Sequence, residues 1–128
     1  MAKLLIALCA IALAAIAFLA LIPVNINEAD NGRTIEILRF RTIRLTLASN
    51  PSTGYSWQII SPAEGKILRR CYAVYGHSPA KLVGAPGYEE FKFRAMSPGV
   101  TEIRMSYLRP WERSQPPART FALSVRVR

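Results

Sequence analysis

The residues that could perform covalent or acid–base chemistry in this chain are few and far apart. The sequence has one histidine, His77, and two cysteines, Cys9 and Cys71. A cysteine–histidine nucleophile requires both groups in one cleft with a third residue that orients them, and the pattern offers none. Glu89 and Glu90 would point to opposite faces of a strand, because neighbouring side chains alternate. The sequence therefore predicts no enzyme: no catalytic residue, no cofactor and no metal site.

Three turn-forming segments indicate recognition instead of catalysis. Residues 50–55 (NPSTGY) combine an Asn-Pro turn start with the flexible backbone of Gly54. Residues 84–87 (GAPG) lie in a long connection, where an ordinary loop tip is the simpler interpretation. Residues 109–111 (RPW) carry a tryptophan typical of a binding anchor, although a tryptophan folded back under its loop fits equally well. The candidate contact residues of the three loops are Asn50, Pro51, Ser52, Thr53, Gly54, Tyr55, Gly84, Ala85, Pro86, Gly87, Arg109, Pro110 and Trp111.

Short strands must position these loops, because apolar and polar residues alternate with a period of two and no helical repeat follows residue 30. About seven strands with turns at roughly ten-residue spacing predict an all-β fold, an immunoglobulin-like antiparallel β-sandwich with Trp57 between its sheets. Alternate connections of a sandwich emerge at the same end, so the three loops can form one surface. The predicted strands cover residues 34–38, 42–47, 57–60, 66–75, 91–94, 100–107 and 121–127.

The N-terminal segment has the layout of an export signal. Lys3 precedes residues 4–22, which contain no charge, and a polar stretch follows. The apolar run also approaches the roughly 20 residues that span a bilayer, so an uncleaved anchor remains open. We expect a signal or anchor in residues 1–22, a short linker in 23–32 and the sandwich in 33–128. The protein would be periplasmic or secreted, or membrane-anchored by residues 4–22, and Cys71 would be a buried unpaired thiol.

The charge balance is a weak guide to partners. The chain has 17 basic and 8 acidic residues, a net charge of +9. Such a balance favours anionic partners, but most of the arginines alternate with apolar residues and fit a solvated sheet face. Because an export signal is present, we expect no nucleic-acid partner. Membrane contact would come only through the N-terminal segment, if it is retained, and the domain would be a monomer.

Taken in order, the three loop motifs resemble the chagasin family of cysteine peptidase inhibitors, over residues 34–127. The resemblance implies an immunoglobulin-like fold that blocks papain-family cysteine peptidases reversibly, without being cleaved. Ser52 and Thr53 would lie at the centre of the peptidase cleft, near its catalytic cysteine. Residues 84–87 would line one side through their backbone. Arg109 and Trp111 would pack on the other side, with Pro110 fixing their loop, while Tyr55 and Trp57 would support the first loop.

Two departures from the family pattern stand out. The family usually has threonine where this chain has Ser52, so a methyl contact is lost, and we expect inhibition weaker by about 1 kcal/mol. A Gly-Asp type turn commonly joins the first two strands of the family, and here Arg39, Phe40 and Arg41 occupy that place. The alternative function is a non-inhibitory immunoglobulin-like envelope module that binds another protein or an anionic surface.

Overall fold

A long helix precedes two four-stranded sheets in the computed structural model, which describes residues 1–62, 65–76, 87–112 and 114–128. Short 3-10 turns occupy Glu28–Asp30 and Pro51–Thr53. The elements are α1 (Ala2–Leu21), β1 (Val24–Asn27), β2 (Thr34–Ile37), β3 (Thr42–Ser49), β4 (Ser56–Ser61), β5 (Leu68–Gly76), β6 (Gly87–Ala95), β7 (Gly99–Leu108) and β8 (Arg119–Val127).

The two sheets pack as a sandwich around one apolar core. One sheet has the strand order β1-β3-β6-β5 and the other the order β2-β8-β7-β4. The predicted alternation supplies the core, since every second side chain is buried in β3 from Ile43, in β7 from Ile103 and in β8 from Phe121. Trp57 is buried among them, as predicted. The β-sandwich fold is therefore confirmed.

The N-terminal strands differ from the prediction. Eight strands are present among the described residues, not about seven, because β1 lies in residues 23–32, which we expected to be a linker. This strand has four residues and buries only Ile26, so it shows no detectable alternation. The fully antiparallel expectation is also wrong, since β1 pairs with β3 and β2 pairs with β8 in parallel. Strands β1 and β3 are neighbours in one sheet, but between them the chain passes through β2 in the other sheet. It therefore enters β3 from the same end as β1, and the two strands pair in parallel.

Cys71 contradicts the expectation of a buried thiol. It is exposed on β5, an edge strand of its sheet, and is not joined to Cys9. The pairing of β5 with β6 shifts register between Arg70 and Tyr72, so Cys71 falls on a bulge. A bulge interrupts the alternation from which burial is predicted.

Strand direction sorts the connections between the two ends of the sandwich. Gly87 pairs with Ser49, and Leu108 pairs with Ser56, so the described parts of the three candidate loops lie at one end, called here the loop end. Val24 pairs with Ile43, so α1 joins the opposite end, called the helix end. By its length and composition α1 can cross a membrane, because its 20 residues span about 30 Å. A helix with these properties at this position is typical of a signal sequence or an anchor.

Candidate binding site at the loop end

The first loop is held in one shape by its own polar groups. Asn50 caps the 3-10 turn, and its side-chain oxygen accepts hydrogen bonds from the backbone nitrogen of Ser52 at 3.3 Å and from its hydroxyl at 2.6 Å. The Thr53 hydroxyl donates to the Asn50 carbonyl oxygen at 2.6 Å. Both hydroxyls at the tip are therefore used within the loop. They fix its shape before any partner arrives.

Trp111 lies on Gly54, at the point where the first and third loops meet. The backbone of Gly54 has φ +80°, in the left-handed region that favours glycine. A Cβ atom there would overlap the Cη2 atom of Trp111 and lie 3.0 Å from its Cζ2 atom. The indole nevertheless remains 67% exposed. The tryptophan is therefore not folded back under its loop, and it presents an exposed indole with one ring edge seated on the glycine.

Arg109 ties the third loop to the first. Its Nε donates to the Thr53 carbonyl oxygen at 3.0 Å, and its guanidinium also pairs with Glu112 at 3.1 Å. The guanidinium carbon lies 4.6 Å from the ring centre of Tyr55, in cation–π geometry. Sequence reasoning assigned Arg109 to partner contact, whereas these bonds use much of its guanidinium inside the protein.

A column of two stacked tyrosine rings between two arginines lies beneath the loops. The Tyr55 ring stacks on the Tyr107 ring, with centroids 5.3 Å apart. The guanidinium carbon of Arg119 lies 4.6 Å from the centre of the Tyr107 ring. With Arg109 above Tyr55, four side chains form a continuous stack. Trp57 flanks it, 5.0 Å from Tyr107 and 5.3 Å from Arg119. Such contacts rigidify a loop base, because planar groups stack in few orientations.

Two hydrogen bonds connect this column to the first loop and to the end of β3, the strand before it. The Asn50 backbone nitrogen donates to the Tyr107 hydroxyl at 3.0 Å, and Arg119 donates to the Ala48 carbonyl oxygen at 2.8 Å. Sequence reasoning identified Tyr55 and Trp57 as supports but missed Tyr107 and Arg119. Tyr107 does continue the inward series of Ile103 and Met105, which could have revealed its position.

Of the four candidate residues of the second loop, the structure describes Gly87. Gly84, Ala85 and Pro86 lie outside the described residues. Gly87 begins β6, buried beside the end of β3. A Cβ atom at this position would collide with the Tyr75 hydroxyl and lie 2.6 Å from the Gly76 carbonyl oxygen. Gly87 therefore permits close packing of the strand that leaves this loop.

A sandwich that presents stiff loops with an exposed tryptophan at one end belongs to the class of loop-presenting binding proteins. The sequence profile described as Chagasin family peptidase inhibitor I42 matches residues 39–125, and the chain belongs to this family. It is accordingly an inhibitor and not an enzyme, as predicted.

Three individual proteins illustrate the relationship. Amoebiasin-2 from Entamoeba histolytica is 32% identical over 103 residues, which cover 80% of this chain and 84% of the relative. The crystal structure of the cysteine protease inhibitor EhICP2 from Entamoeba histolytica superposes with a TM-score of 0.74 and 30% identity, covering 82% of this chain and 95% of the other. PbICP-C, solved in complex with falcipain-2, shares the fold, with a TM-score of 0.55 and 16% identity over 83% of this chain and 91% of its own.

The bond between Arg109 and Thr53 gives a first prediction. Arg109→Lys keeps the charge but loses the planar group that stacks on Tyr55 while its Nε reaches the Thr53 carbonyl. We expect inhibition to weaken about tenfold, which corresponds to about 1.4 kcal/mol. Inhibition constants against papain measure the effect. Arg104→Lys is the matched control, because Arg104 is an exposed β7 arginine whose carboxylate contact with Glu102 is 3.9 Å long. Equal inhibition by the two variants would show that Arg109 does not brace the loops.

Proposed function

We propose that this protein inhibits papain-like cysteine peptidases reversibly by placing its loop end in the active-site cleft. The observation that carries the proposal is the exposed Trp111 seated on a first loop whose tip is locked by its own hydrogen bonds. The target class is supported by family membership and by the relative EhICP2, a cysteine protease inhibitor. The fold neighbour bound to falcipain-2 is consistent with it.

Rigidity is the physical basis of the proposed inhibition. A flexible loop that orders on binding loses conformational entropy, about 0.5–1.5 kcal/mol for each mobile side chain. Here Ser52, Thr53 and Arg109 already hold their hydrogen bonds in the free protein. The tip is a 3-10 turn and presents no well-aligned scissile bond. The loop end would therefore bind tightly and leave the cleft uncleaved.

The three loops would divide the cleft between them. Residues 50–55 would occupy its centre, with the Ser52 and Thr53 side chains nearest the catalytic cysteine. Residues 84–87 would line one wall through their backbone. Trp111 would pack on the other wall, with Pro110 limiting the motion of its loop. Arg109 would act chiefly by holding the third loop against the first.

We further propose that the sandwich works outside the cytoplasm, in the periplasm or as a secreted domain. The support is α1, which lies at the N-terminus with one charged residue, Lys3, before a long apolar run. The target would then be a peptidase that meets the protein in that compartment. The sandwich would act as a monomer.

The full chain, kept in mild detergent because of α1, should inhibit papain at micromolar concentration or below in a peptide-substrate assay. A fragment of residues 33–128 is unsuitable, since it would lack β1 and the buried Ile26. Inhibition should be competitive with the peptide, and the inhibitor should be recovered intact by mass spectrometry. A chymotrypsin-type serine peptidase in the same detergent is the control. Folded protein that leaves papain and a second papain-like peptidase uninhibited would refute the proposal.

Ser52 offers a second prediction, in the opposite direction. Ser52→Thr adds the methyl group usual in the family while its hydroxyl can still bond to the Asn50 side chain. Burial of one methyl against the peptidase is worth about 0.8 kcal/mol, so we expect inhibition of papain to tighten about fourfold. Ser52→Ala, which removes the hydroxyl, is the comparison variant and should weaken inhibition. A threonine variant weaker than the natural protein would contradict the placement of Ser52 at the centre of the contact.

A further inference from the structure

The helix end of the sandwich carries an apolar turn beside the point where α1 joins. Arg41 donates a hydrogen bond to the Ile22 carbonyl oxygen at 3.0 Å, and Val24 pairs with Ile43. The residues that leave α1 are thereby attached to the turn between β2 and β3, residues 38–41. In this turn Leu38 is 62% exposed and Phe40 is 46% exposed. Whatever environment receives the C-terminal end of α1 also receives these two side chains.

Phe40 occupies this turn in a backbone conformation that favours glycine. Its φ is +72°, and it is the one residue other than glycine with a positive φ within the described parts of the chain. The Phe40 backbone nitrogen donates to the Ala95 carbonyl oxygen at 2.7 Å, so the backbone would be satisfied with any side chain there. The ring itself lies outside the apolar core. A large apolar side chain in such a place points to a contact beyond the sandwich.

Two arginines lie against this ring. The guanidinium carbons of Arg39 and Arg94 lie 4.7 Å and 5.9 Å from its centre. Among the residues that the structure describes, the acid near this end of the sandwich is Glu36, which pairs with Arg126 and Arg128. The loop end differs, because Glu28 and Glu112 pair with its arginines and Glu89, which accepts from the Trp57 backbone nitrogen, adds a third acid. The basic residues at or near the helix end include Arg39, Arg41, Lys66, Arg69, Arg94, Arg126 and Arg128.

We propose that the helix end is a membrane-contact surface, which rests on the anionic phospholipid bilayer that holds α1. Apolar rings at the level of the headgroups with basic side chains around them match such an interface. Each arginine or lysine near an anionic surface adds about 1 kcal/mol to the attraction. A second copy of the chain suits this surface poorly, since like charges would face each other. The surface does not depend on the proposed inhibition.

This contact would orient the inhibitor. The eight residues of β3 separate the helix end from the first loop, a distance of about 26 Å at the usual rise per residue. The loops would therefore face away from the bilayer, into the aqueous compartment. Peptidases could reach Trp111 without encountering the lipid.

The test places a fluorescent reporter at the turn. The full chain carrying Phe40→Trp is reconstituted into vesicles of phosphatidylcholine and phosphatidylglycerol whose acyl chains are brominated near the headgroup. The native Trp57 and Trp111 lie at the loop end and give the background signal. We expect bromine to quench the reporter at least about twofold more than Tyr88→Trp, a control at the loop end with 41% exposure in the natural residue.

Lipid charge and salt provide the decisive arms. The excess quenching should fall in pure phosphatidylcholine and in about 1 M salt, where the Debye length is about 3 Å. Equal quenching at the two positions in anionic vesicles would overturn the proposal, as would an exported protein whose mass lacks α1. Phe40→Gly should unfold at the same or a higher temperature, because φ +72° suits glycine. A lower unfolding temperature would show that Phe40 serves the fold, and this result would also overturn the proposal.

Discussion

Replacing Trp111 with alanine should weaken inhibition of papain by about 2–4 kcal/mol, about 30-fold to 1000-fold. The reason is geometric, since the indole is 67% exposed while one ring edge is seated on Gly54, so most of its surface stays in solvent in the free protein. This exposed part remains available for a partner to cover. Tryptophan on a stiff loop is the side chain that most often dominates an interface. Steady-state inhibition constants for the natural and variant proteins give the effect directly.

The control for this experiment is Val100→Ala. Val100 is 63% exposed and lies on β7, the strand that leads into the third loop, but at the helix end of the sandwich. It should leave inhibition unchanged, and both variants should unfold within about 0.5 kcal/mol of the natural protein, because exposed side chains contribute little to the fold. A Trp111→Ala protein that is folded and inhibits within threefold of the natural protein would remove the loop end from the binding interface. A clear loss in the free energy of unfolding of Trp111→Ala would instead show that the indole serves the fold.

The fold was predictable wherever alternation lasted for several residues. Strands β3, β7 and β8 bury alternate side chains from Ile43, Ile103 and Phe121 onward, and the sequence shows this pattern without further information. It fails for β1, whose four residues bury one side chain, and for Cys71, where a bulge breaks the alternation. The parallel pairing of β1 and β2 depends on which sheet the chain enters next. No local pattern encodes that choice.

The candidate site shows the same division between local and distant contacts. A turn is predicted by Asn50, Pro51 and Gly54, because capping and left-handed backbone are local requirements of the chain. The structure has the turn at these residues. The column beneath it depends on register, since Tyr107 meets Arg119 across the pairing of β7 with β8. Periodicity gives the face on which a side chain lies, but not its neighbour on the next strand. The bond from Arg109 to the Thr53 carbonyl oxygen also joins residues far apart in the sequence, so it could not be predicted from a local pattern.

Gly54→Ala tests the joint between the two loops. The substitution adds a Cβ atom where Trp111 now lies and places alanine at φ +80°, which costs about 1–2 kcal/mol for an L residue. Gly32 separates the two effects, because its φ is +82° and nothing lies within 4 Å of an added Cβ. We expect Gly54→Ala and Gly32→Ala to lose similar stability to urea. Only Gly54→Ala should weaken inhibition, by about tenfold or more, since only it displaces the indole.

A double-mutant cycle completes the argument. If Gly54 acts through Trp111, then Gly54→Ala should add little to the loss of inhibition already caused by Trp111→Ala, and the coupling between the two positions should exceed about 1 kcal/mol. Additive effects would mean that the first loop contacts the peptidase independently of the indole. An inhibition loss no greater for Gly54→Ala than for Gly32→Ala would mean that the contact seen in the free protein does not set the bound position of Trp111. The loop end would then be two separate contacts instead of one rigid surface.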